Sequence, residues 1–292
     1  MATQLPNWLA EVYPFEPKRF DTGRGFMNYL DEGQGDEAVV MVHGNPTWSF
    51  YYRNLVLGLR DKVRCIVPDH LGCGLSDKPQ GFAYTLGEHI RNLQELLDSL
   101  KLKKIHLIVH DWGGPIGLGA ALSKPEQLGR VVILNTAAFA DTMIPWRIKL
   151  CQAPVLGEWL VRTLNGFAGP ATWMAVAQPL SPIVRQGYLY PYSDWASRIA
   201  IHRFVQDIPT GKQRASDTAL AEVERKLVIL RDRPVRILWG GQDFCFNRHY
   251  YNRWRVILPG ANADYFEEAG HYVLEDVGQH CLQEIQVFLN LA

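Results

Sequence analysis

The chain has 292 residues, 47% of them hydrophobic, enough to bury a large core either as one α/β domain with an insertion or as two small domains. Thirty basic residues balance thirty acidic ones with no run of like charge, which excludes the electrostatic footprint of a nucleic-acid binder or of an anionic-membrane binder and favours a small or neutral ligand. No segment reaches the ~18 uninterrupted apolar residues of a membrane span, the opening MATQLPNWLAEVYPF lacks a basic start and long apolar run, and the five scattered cysteines (Cys65, Cys73, Cys151, Cys245, Cys281) form no C-x-x-C pair, so a soluble, cytoplasmic chain with reduced thiols and no zinc site is expected.

In chain order, the first strand-like runs are AVVMVHG (38–44) and VRCIVPD (63–69). TLGEHIRNLQELLDSL (85–100) then spaces its apolar residues for one face of a helix. KIHLIVHD (104–111) is again a strand, and GPIGLGAALSKP (114–125) continues from it as a helix that ends before Pro125. RVVILNT (130–136), VRILWGG (235–241) and ADYFEEAGH (263–271) complete the set. Near-continuous apolar runs are expected of parallel strands covered on both faces, and the βαβ rhythm predicts a doubly wound sheet with its ligand at the carboxyl ends of the strands. The rhythm breaks between Phe139 and Lys212, where Trp146, Trp159, Trp173 and Trp195, frequent prolines and short amphipathic pieces such as GEWLVRTLNGF replace buried strands. This predicts a helical cap over 139–212 inserted into a core domain made of 1–138 and 213–292.

The stretch LIVHDWGGPIG (107–117) buries a strand and ends it in a carboxylate. Strand, sharp turn and helix around x-x-D-x-G form a nucleophile elbow, with Val109 in place of the first glycine and Asp111 in place of the usual serine. A carboxylate attacking an acyl carbon would give a high-energy anhydride; attacking a saturated carbon that bears a leaving group, it gives an ordinary alkyl ester. Asp111 therefore points to displacement at sp³ carbon, although an aspartate at a helix start is also a common N-cap. Three further blocks follow strands: HGNP (43–46), which can supply an oxyanion N–H; GGQDF (240–244), with Asp243 as orienting acid; and GHYVLED (270–276), with His271 as base, so that Asp111, Asp243 and His271 run in the order nucleophile, acid, histidine. His43 and His110 flank these blocks and are expected to be held by hydrogen bonds.

The blocks HGNPTWSFYYRN, PDHLGCGLSDKP, VHDWGG and GHYVLED resemble those of the aspartate-nucleophile branch of the α/β-hydrolase superfamily and, within it, the haloalkane dehalogenases. The resemblance implies an α/β-hydrolase fold, a mostly parallel eight-stranded sheet flanked by helices, with an inserted helical cap. It implies a small apolar substrate such as a halogenated alkane, halide as product, and neither metal nor organic cofactor. Asp111 would form an alkyl ester that His271 hydrolyses through an activated water, with the Asn45 amide and the Trp112 indole receiving the halide and their backbone N–H groups holding the oxyanion. Some relatives carry a glutamate after the strand equivalent to VVILN, where this chain has neutral Asn135, which leaves the acid's role to Asp243. That pattern resembles the third dehalogenase subfamily, which also contains cis-β-lactone decarboxylases of olefin biosynthesis, so both activities stay open. Epoxide hydrolases share D-W-G and protonate the opening ring with cap tyrosines, a role open to Tyr188, Tyr190 and Tyr192. Whether the chain acts as a monomer or a homo-oligomer is left open.

Overall fold

The computed structural model describes residues 5–208 and 215–291. Eight strands form one sheet: β1 (Lys18–Asp21), β2 (Phe26–Glu32), β3 (Glu37–Val42), β4 (Arg64–Pro68), β5 (Lys104–His110), β6 (Leu128–Leu134), β7 (Val235–Gly240) and β8 (Asn262–Phe266). Their spatial order is β1-β2-β4-β3-β5-β6-β7-β8. The pairs β1/β2 and β2/β4 are antiparallel and all the others parallel. The six apolar runs of the sequence are β3 to β8, and the sheet is the mostly parallel one expected of an α/β-hydrolase fold. Apolar runs do not reveal β1 and β2, because KRFD is largely exposed and FMNYLDE only half-buried, as suits an antiparallel edge pair with one covered face.

Alternate residues of the central strands feed two cores on opposite faces of the sheet. Val40, Val42, Leu107, Val109, Ile133 and Ile237 pack on one side. Val39, Met41, Ile108, Val132, Leu134 and Leu238 pack on the other. The helix Leu86–Ser99 opens at Thr85, whose hydroxyl oxygen accepts from the Glu88 N–H (3.4 Å). The helix Gly113–Ala121 follows β5 directly and every one of its residues is buried. β8 stops at Phe266 instead of running to His271: Ala269 N–H donates back to the Phe266 carbonyl (3.2 Å), and this turn lifts His271 off the sheet.

Between β6 and β7 the chain leaves the sheet as a series of short helices, the first Trp146–Cys151 and the last Ile199–Asp207. The expected end of this insert, at 212 and 213, lies outside the described residues. After it, the helix Ala215–Lys226 packs against the helices 86–99 and 113–121. The insert is strapped to the segment around His271. Tyr272 N–H donates to the Ala175 carbonyl (2.7 Å), and Asp276 accepts from the backbone N–H groups of Ala177 (2.9 Å), Gln178 (3.0 Å) and Gly270 (2.7 Å). Beside it, Glu275 receives a bidentate pair from Arg53 (2.5 and 2.9 Å) and a third hydrogen bond from the Tyr188 hydroxyl of the insert. All five cysteines are free thiols. Among the described residues no helix is long and apolar enough to cross a membrane.

Candidate active site

Asp111 stands directly after β5 with φ of +52°, a backbone region rarely occupied by side-chain-bearing residues. Its N–H donates to the Asn135 carbonyl (3.0 Å), which ties the turn to the end of β6. Two glycines make the close packing feasible. A Cβ at Gly113 would lie 1.9 Å from the Val42 carbonyl oxygen, and one at Gly44 would lie 2.1 Å from Asp111 Oδ1. The loop 43–46 can therefore press its backbone against the carboxylate, and Asn45 N–H donates to Asp111 Oδ1 at 2.6 Å. Burial pushes the Asp111 carboxyl above its ordinary range, opposed by His271 and by the backbone N–H groups of Asn45 and Trp112.

His271 completes the constellation from the turn after β8. Its Nδ1 lies 2.6 Å from Asp243 Oδ2, and its Nε2 faces Asp111 Oδ2 at 3.8 Å. Nδ1 carries the proton in that contact, since a carboxylate only accepts, which leaves Nε2 as the basic nitrogen. Burial works to lower the His271 pKa, but the carboxylates of Asp243 and Asp111 outweigh it, and the net shift is upward. Asp243 is fixed in turn by the N–H groups of Cys245 (2.7 Å) and Phe246 (2.9 Å) and by the Asn135 side-chain amide (2.9 Å). The structure thus brings together Asp111, Asp243, His271, Asn45 and Trp112.

The Asn45 amide also touches the insert. Its Nδ2 donates to the Ile201 carbonyl of the insert (3.2 Å), and its Oδ1 is buried without a partner among the described residues. One of its two N–H bonds is thus committed to the helix above it. The Trp112 indole packs against Phe204 with ring centroids 5.1 Å apart and makes no hydrogen bond among the described residues. Both residues, with Asp111 and His271, line a cavity of about 490 Å³ whose remaining wall is largely apolar and comes mostly from the insert, including Phe139, Leu150, Phe167 and Val205.

None of Tyr188, Tyr190 and Tyr192 lines this cavity. Tyr188 is spent on Glu275, Tyr192 donates to the Thr47 carbonyl (3.3 Å), and Tyr190 packs edge-on against Trp8. The tyrosines that do reach the cavity are Tyr250, whose hydroxyl donates to the Met143 carbonyl (2.9 Å), and Tyr272, whose hydroxyl has no partner among the described residues. His43 and His110 are held as expected: His43 Nδ1 donates to the Gly44 carbonyl (2.8 Å) and His110 Nε2 to the His271 carbonyl (2.9 Å). Burial holds both well below the ordinary histidine pKa. Sequence reasoning missed Asn135 as a donor to the acid, although a polar residue ending an apolar run was a signal. It also missed Glu275 and Asp276, which sit in the same GHYVLED block as His271.

The alpha/beta hydrolase fold family matches residues 37–276. The chain belongs to this family. Within it, a cis-3-alkyl-4-alkyloxetan-2-one decarboxylase of Shewanella oneidensis is 45% identical over 96% of this chain and 90% of its own length. Haloalkane dehalogenase 2 of Mycobacterium bovis is 31% identical over 91% of this chain and 92% of its own. Among solved structures, a mutant haloalkane dehalogenase from Agrobacterium tumefaciens C58 superposes with a TM-score of 0.86 at 22% identity, over 98% of this chain and 100% of that one. At that identity the likeness bears on the fold alone.

Proposed function

We propose that this α/β hydrolase opens and decarboxylates a cis-3,4-dialkyl β-lactone, with Asp111 as nucleophile and residues 139–212 as a cap over the core domain of 1–138 and 213–292. The observation that carries the chemistry is the Asp111 carboxylate, one oxygen seated on the Asn45 N–H and the group facing a mainly apolar cavity. The substrate class is supported by the 45% identity to a protein of that activity along nearly the whole chain.

Asp111 attacks the saturated, alkyl-bearing ring carbon bonded to the ring oxygen, forming an ester bond and breaking that carbon–oxygen bond, so that the leaving group becomes a tethered carboxylate. The indole N–H of Trp112 and the remaining N–H of the Asn45 amide receive its charge. The bond from the neighbouring carbon to that carboxylate then breaks, its electron pair forms the alkene and expels Asp111, and carbon dioxide leaves. Atoms and charge balance without water, proton or cofactor. An apolar wall favours the second step, because it solvates the compact carboxylate poorly and the dispersed charge of the transition state less so.

A second reading, hydrolysis of a haloalkane through the same ester, is favoured by the Asp243–His271 pair. An imidazole with its Nδ1 anchored and Nε2 turned toward Asp111 is built to activate water, a step the decarboxylation does not use. An epoxide is less well served, since the three tyrosines expected to protonate it lie outside the cavity. The test is to incubate the protein separately with a cis-β-lactone, a terminal bromoalkane and an epoxide of matched chain length and identify the products. Cis-alkene with carbon dioxide, at a kcat/KM above that for bromide release, is the expected result. Bromide release with the lactone left intact would assign the dehalogenase activity instead.

A further inference from the structure

We propose that the rim of the cavity is a lipid-docking face, by which the insert rests on the surface of an anionic phospholipid bilayer and takes up its apolar substrate from there. The rim is built from side chains that line the cavity and yet face outward: Trp146 and Trp173 are 68% and 63% exposed, and Met143 and Leu150 are exposed beside them. The apolar wall of the site therefore continues onto the outer surface.

The neighbouring turn extends that surface. Val155 is 84% exposed at φ of +61°, a β-branched residue in a region that such side chains avoid, and Leu156 and the half-exposed Trp159 follow it. A strained backbone that projects a valine into solvent gains nothing by burial within this chain. Indoles are suited to the headgroup layer, where the ring meets apolar tails and the N–H meets water or phosphate.

Charge selects the occupant. The only acidic residue between 142 and 176 is Glu158, and it is paired with Arg162 (2.7 Å). Arg147 and Lys149 are exposed on the same helix as Trp146 and form no ion pair among the described residues; the Arg147 guanidinium lies 5.1 Å from the Trp146 ring. The whole-chain charge balance, which argued against an anionic-membrane binder, conceals a local excess: the free charge at this rim is cationic, complementary to phosphate headgroups. Acidic lipids would hold the two cations while the indoles and Val155 enter the interface.

The full chain should co-sediment with vesicles of phosphatidylcholine mixed with phosphatidylglycerol, and less with phosphatidylcholine alone. Asp111→Ala should bind equally well, which keeps this test separate from the proposed activity. The double variant Val155→Asp/Trp159→Ser, at two exposed positions outside the cavity, should keep its melting temperature and lose binding by about tenfold or more. Lys149→Glu should weaken binding to the anionic vesicles selectively. No co-sedimentation of the unaltered chain, or binding that the double variant leaves unchanged, would overturn the proposal. So would a concentration-dependent dimer abolished by the double variant, which would make the face a contact between two copies.

Discussion

The sheet core and the helical insert use the same residue type in opposite ways. In the core, Trp48, Trp239 and Trp254 are fully buried and each indole N–H reaches a backbone carbonyl, that of Gly187 (3.2 Å), Phe246 (2.9 Å) and Thr136 (2.7 Å) respectively. In the insert, Trp146, Trp159, Trp173 and Trp195 are exposed. The core holds its polar groups equally firmly: Asp69 spans two loops by accepting from the N–H groups of Ser49 (2.7 Å) and Leu75 (2.9 Å), and burial pushes its pKa up to about 6. The difference teaches where each demand is met. The placement of Asp111, Asp243 and His271 comes from segments that follow strands, whereas most of the cavity wall comes from short helices of the insert.

The sharpest test of that division is Asp111→Ala, which should abolish turnover of lactone and bromoalkane, by at least about 10⁴-fold, while circular dichroism and melting stay close to those of the unaltered protein. Turnover within tenfold of normal in the folded variant would move the chemistry out of the core. His271→Gln should come next. With a bromoalkane it should stall after one turnover, and intact-mass spectrometry should show one added alkyl group, whereas lactone turnover, which needs no activated water, should fall much less. Bromide release over many turnovers without an adduct would assign the base elsewhere.

Stability should divide the two regions as well. Leu134→Ala, in the fully buried centre of β6, should cost about 2–5 kcal/mol in denaturant unfolding, and Trp159→Ser on the insert less than about 0.5 kcal/mol. Equal costs would erase the distinction. The smallest effect is the shape of the acid limb. His271 must be neutral to act as base and its pKa is raised, so bromoalkane turnover should fall off, as pH decreases, at a pH above the ordinary histidine value of about 6.5. Lactone turnover needs only ionised Asp111 and should persist to lower pH. Coincident limbs would show that both reactions await the same proton.

What could be read from the sequence follows the same division. Strands β3 to β8 were legible because burial on both faces leaves an apolar run that little else produces, and Asp111, Asp243 and His271 were legible because each closes such a run or follows it closely. The edge strands β1 and β2 carried no such signature. The insert's helices are short and depend on packing for their stability, so their faces were not readable, and Tyr188, Tyr190 and Tyr192 could not be seen to point away from the cavity. The contact of the Asn45 amide with the insert was not readable for a related reason: its partner, the Ile201 carbonyl, is a main-chain atom 156 positions away, and residue type does not disclose which backbone group will arrive opposite it.

The strap formed by Asp276, Glu275 and the backbone pairing of Tyr272 with Ala175 gives the molecule a mechanical polarity. Residues 175–178 and Tyr188 are bolted to the same short segment that carries His271. Any swing of the insert that pivoted on its far edge would drag the imidazole away from Asp243 and break the hydrogen bond between them. A swing that kept the strap as its hinge would instead move the edge bearing Trp146 and Leu150 and leave the His271–Asp243 contact in place.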